Sequence, residues 1–168
     1  MPFPTQNRLA RPAVALLFLC FGLWGQIAQG GEAATSVFST LEDLGEALFH
    51  DPNLSANRTQ SCASCHDPEY GFADPRRSAD GAFSLGDDGK SLGDRNAPTA
   101  SYAAFAPRFH RKDDGTWAGG MFWDGRAAGL EEQAGGPPLN PIEMGLASKE
   151  QAVTRLRENP DYITAFEA

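Results

Sequence analysis

The chain has 168 residues, 14 of them basic and 22 acidic, and a formal net charge of −8 at pH 7. This length suffices for one modest domain besides a targeting segment. The acidic balance, without any basic stripe, argues against nucleic-acid binding. An acidic surface can steer a basic partner protein towards the molecule, and it can equally serve solubility alone.

Residues 1–30 are predicted to form a cleaved signal peptide. Two arginines open this segment, and an apolar run of twelve residues follows them, from Ala13 to Trp24. The run is short for a bilayer span, and small residues precede the expected cleavage after residue 30. We therefore expect a periplasmic mature protein of residues 31–168. An uncleaved membrane anchor is the alternative.

The first predicted helix runs from Ser39 to His50, in the letters STLEDLGEALFH. Ser39 suits the N-cap position, and Glu42 completes a capping box three residues later. Leucines recur on one face at the spacing i, i+3, i+7, which is typical of an amphipathic helix. Pro52 prevents its continuation.

Cys62, Cys65 and His66 follow at the spacing C-x-x-C-H. This spacing is typical of c-type haem attachment, in which both thiols bond to the haem and the imidazole binds its iron. A structural zinc site needs four ligands, and here only His50 and His110, at unusual spacings, could complete one. A thioredoxin-type redox pair needs a βαβ setting, which is not visible here. A disulfide between the two cysteines would leave the adjacent His66 unexplained. Covalent haem attachment takes place outside the bacterial cytoplasm, so it agrees with the predicted export of the protein.

The stretch between Asp67 and Phe122 is rich in Gly, Pro, Asp and Ser and has no sustained helical or strand period. Such a long irregular stretch argues against a compact fold unless something else organises it. A haem, as a large apolar cofactor, would do so. The fold class expected is therefore mainly α, a cytochrome c-like haem domain with few helices and long irregular loops.

Two further helices are predicted near the end of the chain. The first has Ser148 as its N-cap and Gln151 completing a capping box. Its apolar face is expected to comprise Ala152, Val153 and Leu156. The second begins at Pro160, capped by Asn159. Its expected apolar residues are Tyr162, Ile163 and Phe166.

The ligand on the far side of the haem iron would decide its chemistry. Methionine, from Met121 or Met144, would make an electron-transfer cytochrome. Histidine, from His50 or His110, is a second option. With no side chain bound, the iron would be open to a small molecule such as peroxide. Spacing leaves these alternatives open.

Three blocks of the sequence carry a more specific resemblance. They are LGEALFHDPNLSANRTQSCASCHDPEYGF, GDRNAPTASYAAF and FWDGRAAGLEEQAGGPPLNPIEMG. In this order they resemble the N-terminal domain of the bacterial di-haem cytochrome c peroxidase family, including its MauG-like relatives, over residues 39–168. The resemblance implies an exported enzyme that reduces hydrogen peroxide to water with electrons from a second haem or a small redox protein. The alternatives are a MauG-like enzyme that oxidises side chains of a partner protein and a simple electron-transfer cytochrome c.

The resemblance also implies roles for individual residues. Cys62 and Cys65 would tether the peroxidatic haem c, with His66 as its axial iron ligand. Trp123 would lie between two haems as an electron relay. Asn96 would help to bind calcium.

Gln133 and Glu143 match the family's polar pair on the distal side of the haem. Cleavage of a peroxide O–O bond needs a group that takes a proton from one oxygen and delivers it to the other, as a carboxylate can. Apolar neighbours of Glu143 would raise its pKa. Asp124 and Arg126 are expected to form an ion pair or a turn.

Two departures from the family pattern matter. Many members have a distal histidine where this chain has Asp88, and no histidine lies between His66 and His110. An open iron would favour the MauG-like branch. The family also has a C-terminal domain with its own C-x-x-C-H, whereas this chain has one such motif and stops within its last helix. We therefore expect a missing C-terminal haem domain, with the remaining calcium ligands in it, and a homodimer is a further expectation.

Overall fold

The computed structural model describes residues 36–76 and 83–167. In these residues short helices are connected by long irregular segments, as expected, and a small two-stranded sheet lies within the stretch where no strand is predicted. The helices are α1 (Leu41–His50), α2 (Cys62–Cys65), α3 (Leu130–Ala134), α4 (Lys149–Leu156) and α5 (Pro160–Glu167). Strands β1 (His110–Arg111) and β2 (Trp117–Ala118) pair antiparallel, with His110 opposite Ala118.

The predicted signal peptide at 1–30 lies outside the described residues. Within the two described ranges, no helix combines the length and the apolar character needed to cross a membrane.

Helix α1 begins one residue later than its sequence predicts. Thr40, rather than Ser39, is the N-cap, and its Oγ1 accepts the N–H of Asp43 at 3.1 Å. The Asp43 carboxylate accepts the N–H groups of both Ser39 and Thr40, each at 3.0 Å. Asp43, and not Glu42 as predicted, therefore completes the capping box, and both carboxylates place negative charge in the first turn, at the positive end of the helix dipole.

Helix α4 has the predicted cap but not the predicted buried face. The Ser148 hydroxyl accepts the N–H of Gln151 at 3.2 Å, whereas Val153 is 44% exposed. The residue that α4 buries is Arg155. Its guanidinium donates to the backbone carbonyls of Asn53 and Ala56 at 3.3 and 3.1 Å. The prediction of a wholly apolar face was therefore wrong. The loop next to α4 presents backbone carbonyl groups, and an arginine side chain can donate hydrogen bonds to them.

Helix α5 begins at Pro160 as predicted, and the Asn159 side chain accepts the N–H of Asp161 at 2.9 Å. Only part of its predicted apolar face is buried, because Tyr162 is 4% exposed but Phe166 is 60% exposed. The apolar core is small. Its buried members are Leu44, Ala127, Met144, Leu146 and Tyr162.

Candidate active site

A single buried hydroxyl organises the segment that leads into the C-x-x-C-H motif. Ser55 is fully buried, and its Oγ accepts the N–H groups of Thr59 and Gln60, both at 3.1 Å. The same hydroxyl donates to the carbonyl of Pro52 at 3.0 Å. These three bonds fold residues 52–60 into a compact loop, from which the one-turn helix α2 begins.

The two cysteines of α2 are free thiols and half-buried. Burial raises the pKa of Cys62. Burial also raises the pKa of Cys65 to about 11, although the nearby Arg76 guanidinium acts in the opposite direction. Arg76 Nη2 lies 2.9 Å from Cys65 Sγ. The pKa values of both thiols therefore lie above the ordinary cysteine value.

His66 is oriented by the turn that follows it. Its Nδ1 lies 3.2 Å from the carbonyl oxygen of Phe72, so Nδ1–H donates and the lone pair of Nε2 remains for a metal ion. Phe72 has a φ of 59°, in the left-handed region, which costs a residue of this kind about 1 kcal/mol or more. The two thiols and this imidazole fit the donor set expected for a covalently held haem, and their assignment to it stays a prediction.

Glu143 lines a cavity of about 340 Å³. The cavity is also lined by Phe122, Arg126, Ala127, Glu132, Gly136, Pro137 and Asn140. Burial raises the pKa of Glu143, while a hydrogen bond from the Asn140 amide, at 3.0 Å from Oε1, and the charges of Arg126 and His66 act to lower it. The charge of Glu143 in turn acts on the Cys65 thiol. The carboxyl group therefore lies within electrostatic range of the attachment residues.

Arg126 closes one side of this cavity. Its guanidinium carbon lies 3.6 Å from the centroid of the Phe122 ring, a cation–π contact. Its Nη1 donates to both carboxylate oxygens of Asp124, at 2.9 and 3.0 Å, which confirms the expected ion pair. Arg95 also donates to Asp124. These hydrogen bonds, which outweigh its desolvation, lower the pKa of Asp124 to about 2.

Gln133 is half-buried on α3, and the residue of α3 that lines the cavity is Glu132. The Glu132 carboxylate accepts the N–H of Ala128 at 2.8 Å. Among the described residues no hydrogen bond joins Gln133 to Glu143, and the distal role of Gln133 stays a prediction.

Trp123 and Asn96 lie outside the cavity but contact each other. The indole N–H of Trp123 donates to the backbone carbonyl of Asn96 at 2.9 Å. Both residues are exposed, Trp123 by 63%. Among the described residues, no group of three or more His, Cys, Asp or Glu side chains could hold a metal ion. The electron-relay and calcium roles therefore stay predictions for one shared surface.

The alternative iron ligands lie in varied settings. His110 is exposed on β1, with its Nδ1 at 2.8 Å from the carbonyl of Arg108, and His50 is exposed at the end of α1. Met144 is buried in the core, and Met121 is half-buried.

Asp88 stands at the position where a distal histidine would be expected. Its side chain is exposed and forms hydrogen bonds within its own turn. Its carboxylate accepts the N–H groups of Lys90 and Ser91 at 2.9 and 2.7 Å and the Ser91 hydroxyl at 2.8 Å. This side chain is therefore a turn-former, which a sequence comparison with histidine-bearing relatives would not reveal.

Comparison with known proteins bears directly on this arrangement. Residues 39–168 match the family described as di-haem cytochrome c peroxidase. The chain is 54% identical over 138 residues to methylamine utilization protein MauG of Paracoccus denitrificans (strain Pd 1222), an alignment that covers 82% of this chain and 36% of that protein. It is 42% identical to cytochrome c peroxidase Ccp of Escherichia coli (strain K12), over 73% of this chain and 23% of that protein.

A solved structure gives the same result. The diheme peroxidase BthA from Burkholderia thailandensis E264 superposes with a TM-score of 0.68 at 37% identity, over 74% of this chain and 31% of that one. The chain thus spans about a third of the length of these relatives or less. It belongs to the di-haem cytochrome c peroxidase family, an oxidoreductase family whose membership implies a covalently bound haem c.

Proposed function

We propose that residues 31–168 form a cytochrome c-like domain of an exported di-haem enzyme, and that this domain reduces hydrogen peroxide to water. The observation that carries the proposal is Glu143, a half-buried carboxyl group with a raised pKa, which lines a cavity and lies within electrostatic range of His66 and Cys65. Such a group is suited to moving protons during cleavage of an O–O bond.

Cys62 and Cys65 would hold the haem through thioether bonds, and His66 would bind its iron through Nε2. The haem supplies an iron centre that passes electrons to peroxide. The Phe72 carbonyl keeps the His66 ring oriented and makes Nε2 a stronger donor, since Nδ1–H is hydrogen-bonded.

Glu143 would accept a proton from one peroxide oxygen and return it to the oxygen that leaves as water. Its raised pKa lets the carboxyl group act in both directions near neutral pH more readily than an exposed glutamate. The Asn140 amide holds Oε1 at 3.0 Å and thus fixes the direction of the carboxyl group. Gln133 is proposed to orient the bound peroxide.

Electrons would reach this domain past Trp123, from a second haem domain or a small redox protein. The exposed indole, bonded to the Asn96 carbonyl, is accessible at the surface for such a transfer. The acidic net charge would favour a basic donor. Calcium near Asn96 is part of the same proposal, with its remaining ligands supplied by another domain.

The first test replaces Glu143 by Gln in the haem-loaded protein. We expect the rate of reaction with peroxide, followed by stopped-flow absorption, to fall at least 100-fold, because an amide cannot transfer the proton. The reduction potential should stay within about 20 mV of the original value, which corresponds to less than 1 kcal/mol per electron. Glu131→Gln, an exposed carboxylate on α3, is the matched control.

An unchanged peroxide rate in Glu143→Gln would contradict the acid–base role. Combined with an absorption spectrum typical of methionine ligation, it would identify an electron-carrier cytochrome instead.

A second candidate function is oxidation of side chains in a partner protein. Two observations favour it, the turn-forming role of Asp88 and the 54% identity to a protein named MauG. The two functions differ in where the oxidising equivalents of peroxide go. Peroxide and a reduced small cytochrome should be consumed in a one-to-two ratio under the first, whereas under the second mass spectrometry should detect oxidised tryptophan or tyrosine in an added protein.

A further inference from the structure

Three segments that are distant in sequence meet behind Glu143. Residues 55–60 lead into the C-x-x-C-H motif, residues 84–93 form a tight loop, and residues 140–145 carry Glu143. We call their meeting point the junction. It connects the segment that would hold the haem with the carboxyl group that would serve it.

Two backbone hydrogen bonds fasten the Glu143 segment to the junction. The N–H of Asp87 donates to the carbonyl of Glu143 at 2.7 Å, and the N–H of Ala56 donates to the carbonyl of Met144 at 2.7 Å. Consecutive carbonyls, at Glu143 and its neighbour, are thus held by different segments. The backbone from which the Glu143 side chain extends is fixed from both directions.

Asp87 is the residue that contacts both other segments. Its carboxylate accepts the N–H of Asn57 at 2.6 Å and the hydroxyl of Thr59 at 2.6 Å, while its own N–H holds Glu143. Although desolvation acts in the other direction, hydrogen bonds hold the pKa of Asp87 below its ordinary value. The side chain is therefore an ionised acceptor at neutral pH, and such charge-assisted bonds are the stronger kind.

Gly86 allows the loop to come this close. A Cβ atom at Gly86 would lie 2.7 Å from the carbonyl oxygen of Ile142 and 3.1 Å from its carbon, so any side chain would push the two segments apart. The loop is closed by hydrogen bonds from Gly86 N–H to Ser91 and from Gly93 N–H to Ser84, at 2.8 and 2.9 Å. It forms a stiff wall against the Glu143 segment.

We propose that Asp87 is a positioning residue that fixes Glu143 relative to the haem-attachment segment. The proposal rests on the acid–base role proposed for Glu143 above. Asp87 touches Glu143 through backbone atoms, so it acts through Glu143 and makes no contact with substrate. Because a displacement of about 1 Å can cost up to 100-fold in rate, a residue that fixes the acid is part of its efficiency.

Four variants of the haem-loaded protein test this role. Asp87→Ala removes the carboxylate, and Asp87→Asn keeps one acceptor oxygen, so it should rescue part of the loss. Gly86→Ala forces the loop away from Ile142 while the Asp87 side chain keeps its chemical identity. Gly93→Ala is the matched control, because its Cβ would meet only backbone oxygens at 3.6 Å, an ordinary contact.

Cyanide binding to the haem-loaded protein is the first readout. At neutral pH cyanide arrives as HCN and must lose its proton to bind as an anion, so its binding rate reports a correctly placed base. We expect Asp87→Ala and Gly86→Ala to slow binding on the order of tenfold, Asp87→Asn less, and Gly93→Ala not at all. In the pH profile of the cyanide-binding rate, the midpoint should move towards the ordinary pKa of glutamate, because a displaced Glu143 carboxyl group loses its burial. Arg126, His66 and Asp94, whose charges also act on Glu143, are unchanged in these variants.

Hydrogen–deuterium exchange is the second readout. The N–H groups of Glu143 and Gly145 both donate to the carbonyl of Asn140, at 3.0 and 2.9 Å. Loosening of the junction should speed their exchange in Asp87→Ala and Gly86→Ala, and leave it unchanged in Gly93→Ala.

Glu143→Gln separates the two proposals. If it slows cyanide binding while Asp87→Ala and Gly86→Ala bind cyanide and exchange amides as the original protein does, the positioning role is overturned and the acid–base role stands. If Glu143→Gln leaves cyanide and peroxide rates unchanged, the acid–base role fails, and the positioning proposal is overturned with it.

Discussion

Two regions of the molecule pack in opposite ways. One is the haem-attachment segment, residues 52–66, and the other is the group of exposed aromatic residues between 102 and 123. The attachment segment contains few large apolar side chains, yet its polar groups form hydrogen bonds, some within the segment around the fully buried Ser55 and others with Asp87 and Arg155 outside it. The second region is rich in large rings that remain at the surface, and we call it the aromatic face. It comprises Tyr102, Phe105, Phe109, Trp117 and Trp123, which are 82, 83, 42, 62 and 63% exposed.

The difference shows that the polarity of a segment does not predict whether its groups are held in place by hydrogen bonds or lie exposed at the surface. In the attachment segment, loss of the Ser55 hydroxyl would leave the buried N–H of Gln60 without an acceptor, which is costly. On the aromatic face, four of the five exposed rings form two pairs, Tyr102 with Phe105 at 6.4 Å and Phe109 stacked on Trp117 at 5.0 Å between ring centroids.

Removal of both attachment thiols should have the largest effect. In the double variant Cys62→Ser and Cys65→Ser, we expect complete loss of covalently bound haem, because no other cysteine lies within the predicted mature chain. A haem stain of the protein on a denaturing gel measures this. Cys20→Ser is the matched control and should retain the stain, since Cys20 lies in the predicted leader. Retention of the stain in the double variant would refute the assignment of the motif.

Ser55→Ala should cost about 2 kcal/mol in the free energy of unfolding. The alanine leaves the buried N–H of Gln60 without its acceptor, at about 1–3 kcal/mol, whereas the N–H of the exposed Thr59 keeps the Asp87 carboxylate as an acceptor at 3.3 Å. Urea unfolding of the haem-loaded protein measures it. Ser39→Ala, at an exposed position where only the backbone is bonded, should change stability by less than about 0.5 kcal/mol. Equal effects of the two variants would contradict the organising role of Ser55.

The sequence predicts the structure well where interactions between neighbouring residues determine it, as they do at the ends of the helices. The caps of α4 and α5 lie at Ser148 and Asn159, as the sequence predicts, and α1 ends at His50 as predicted but starts one residue later. The single-turn helices α2 and α3 are too short to produce a period. Their existence depends on neighbouring loops rather than on a pattern.

The candidate site divides in the same way. The C-x-x-C-H spacing directly predicts Cys62, Cys65 and His66 as attachment residues, because covalent attachment requires residues close together in sequence. The contact between Trp123 and the Asn96 carbonyl could not be predicted, since a backbone acceptor leaves no trace in residue type. The same holds for Asp87, whose partners are mostly backbone groups. Long-range bonds to the main chain are therefore the part of this site that sequence patterns miss.

The pH dependence of stability should reveal the burial of Glu143. Its pKa is raised in the folded protein, so protonation favours the folded state. Below the ordinary glutamate pKa the group is protonated in both states, and stability is fully present; as pH rises through the folded-state pKa, that stability is lost. Glu143→Gln should therefore unfold at a higher urea concentration than the original protein at pH 7 and at the same concentration near pH 3.5. The effect should be smaller than that of Ser55→Ala, and a stability gain that does not depend on pH would contradict it.

Trp117→Ala should have the smallest effect and tests the aromatic face directly. Trp117 stacks on Phe109 with an interplanar angle of 7°, but it is 62% exposed, so we expect a loss of about 1 kcal/mol from the ring pair. A buried tryptophan would cost about 3–5 kcal/mol on the same replacement. Urea unfolding at two protein concentrations, with sedimentation velocity, measures both stability and association. A loss near 3 kcal/mol that grows with protein concentration would show that a second copy covers the aromatic face, whereas a small, concentration-independent loss would mean that these rings lie open in solution and that a homodimer, if formed, uses another surface.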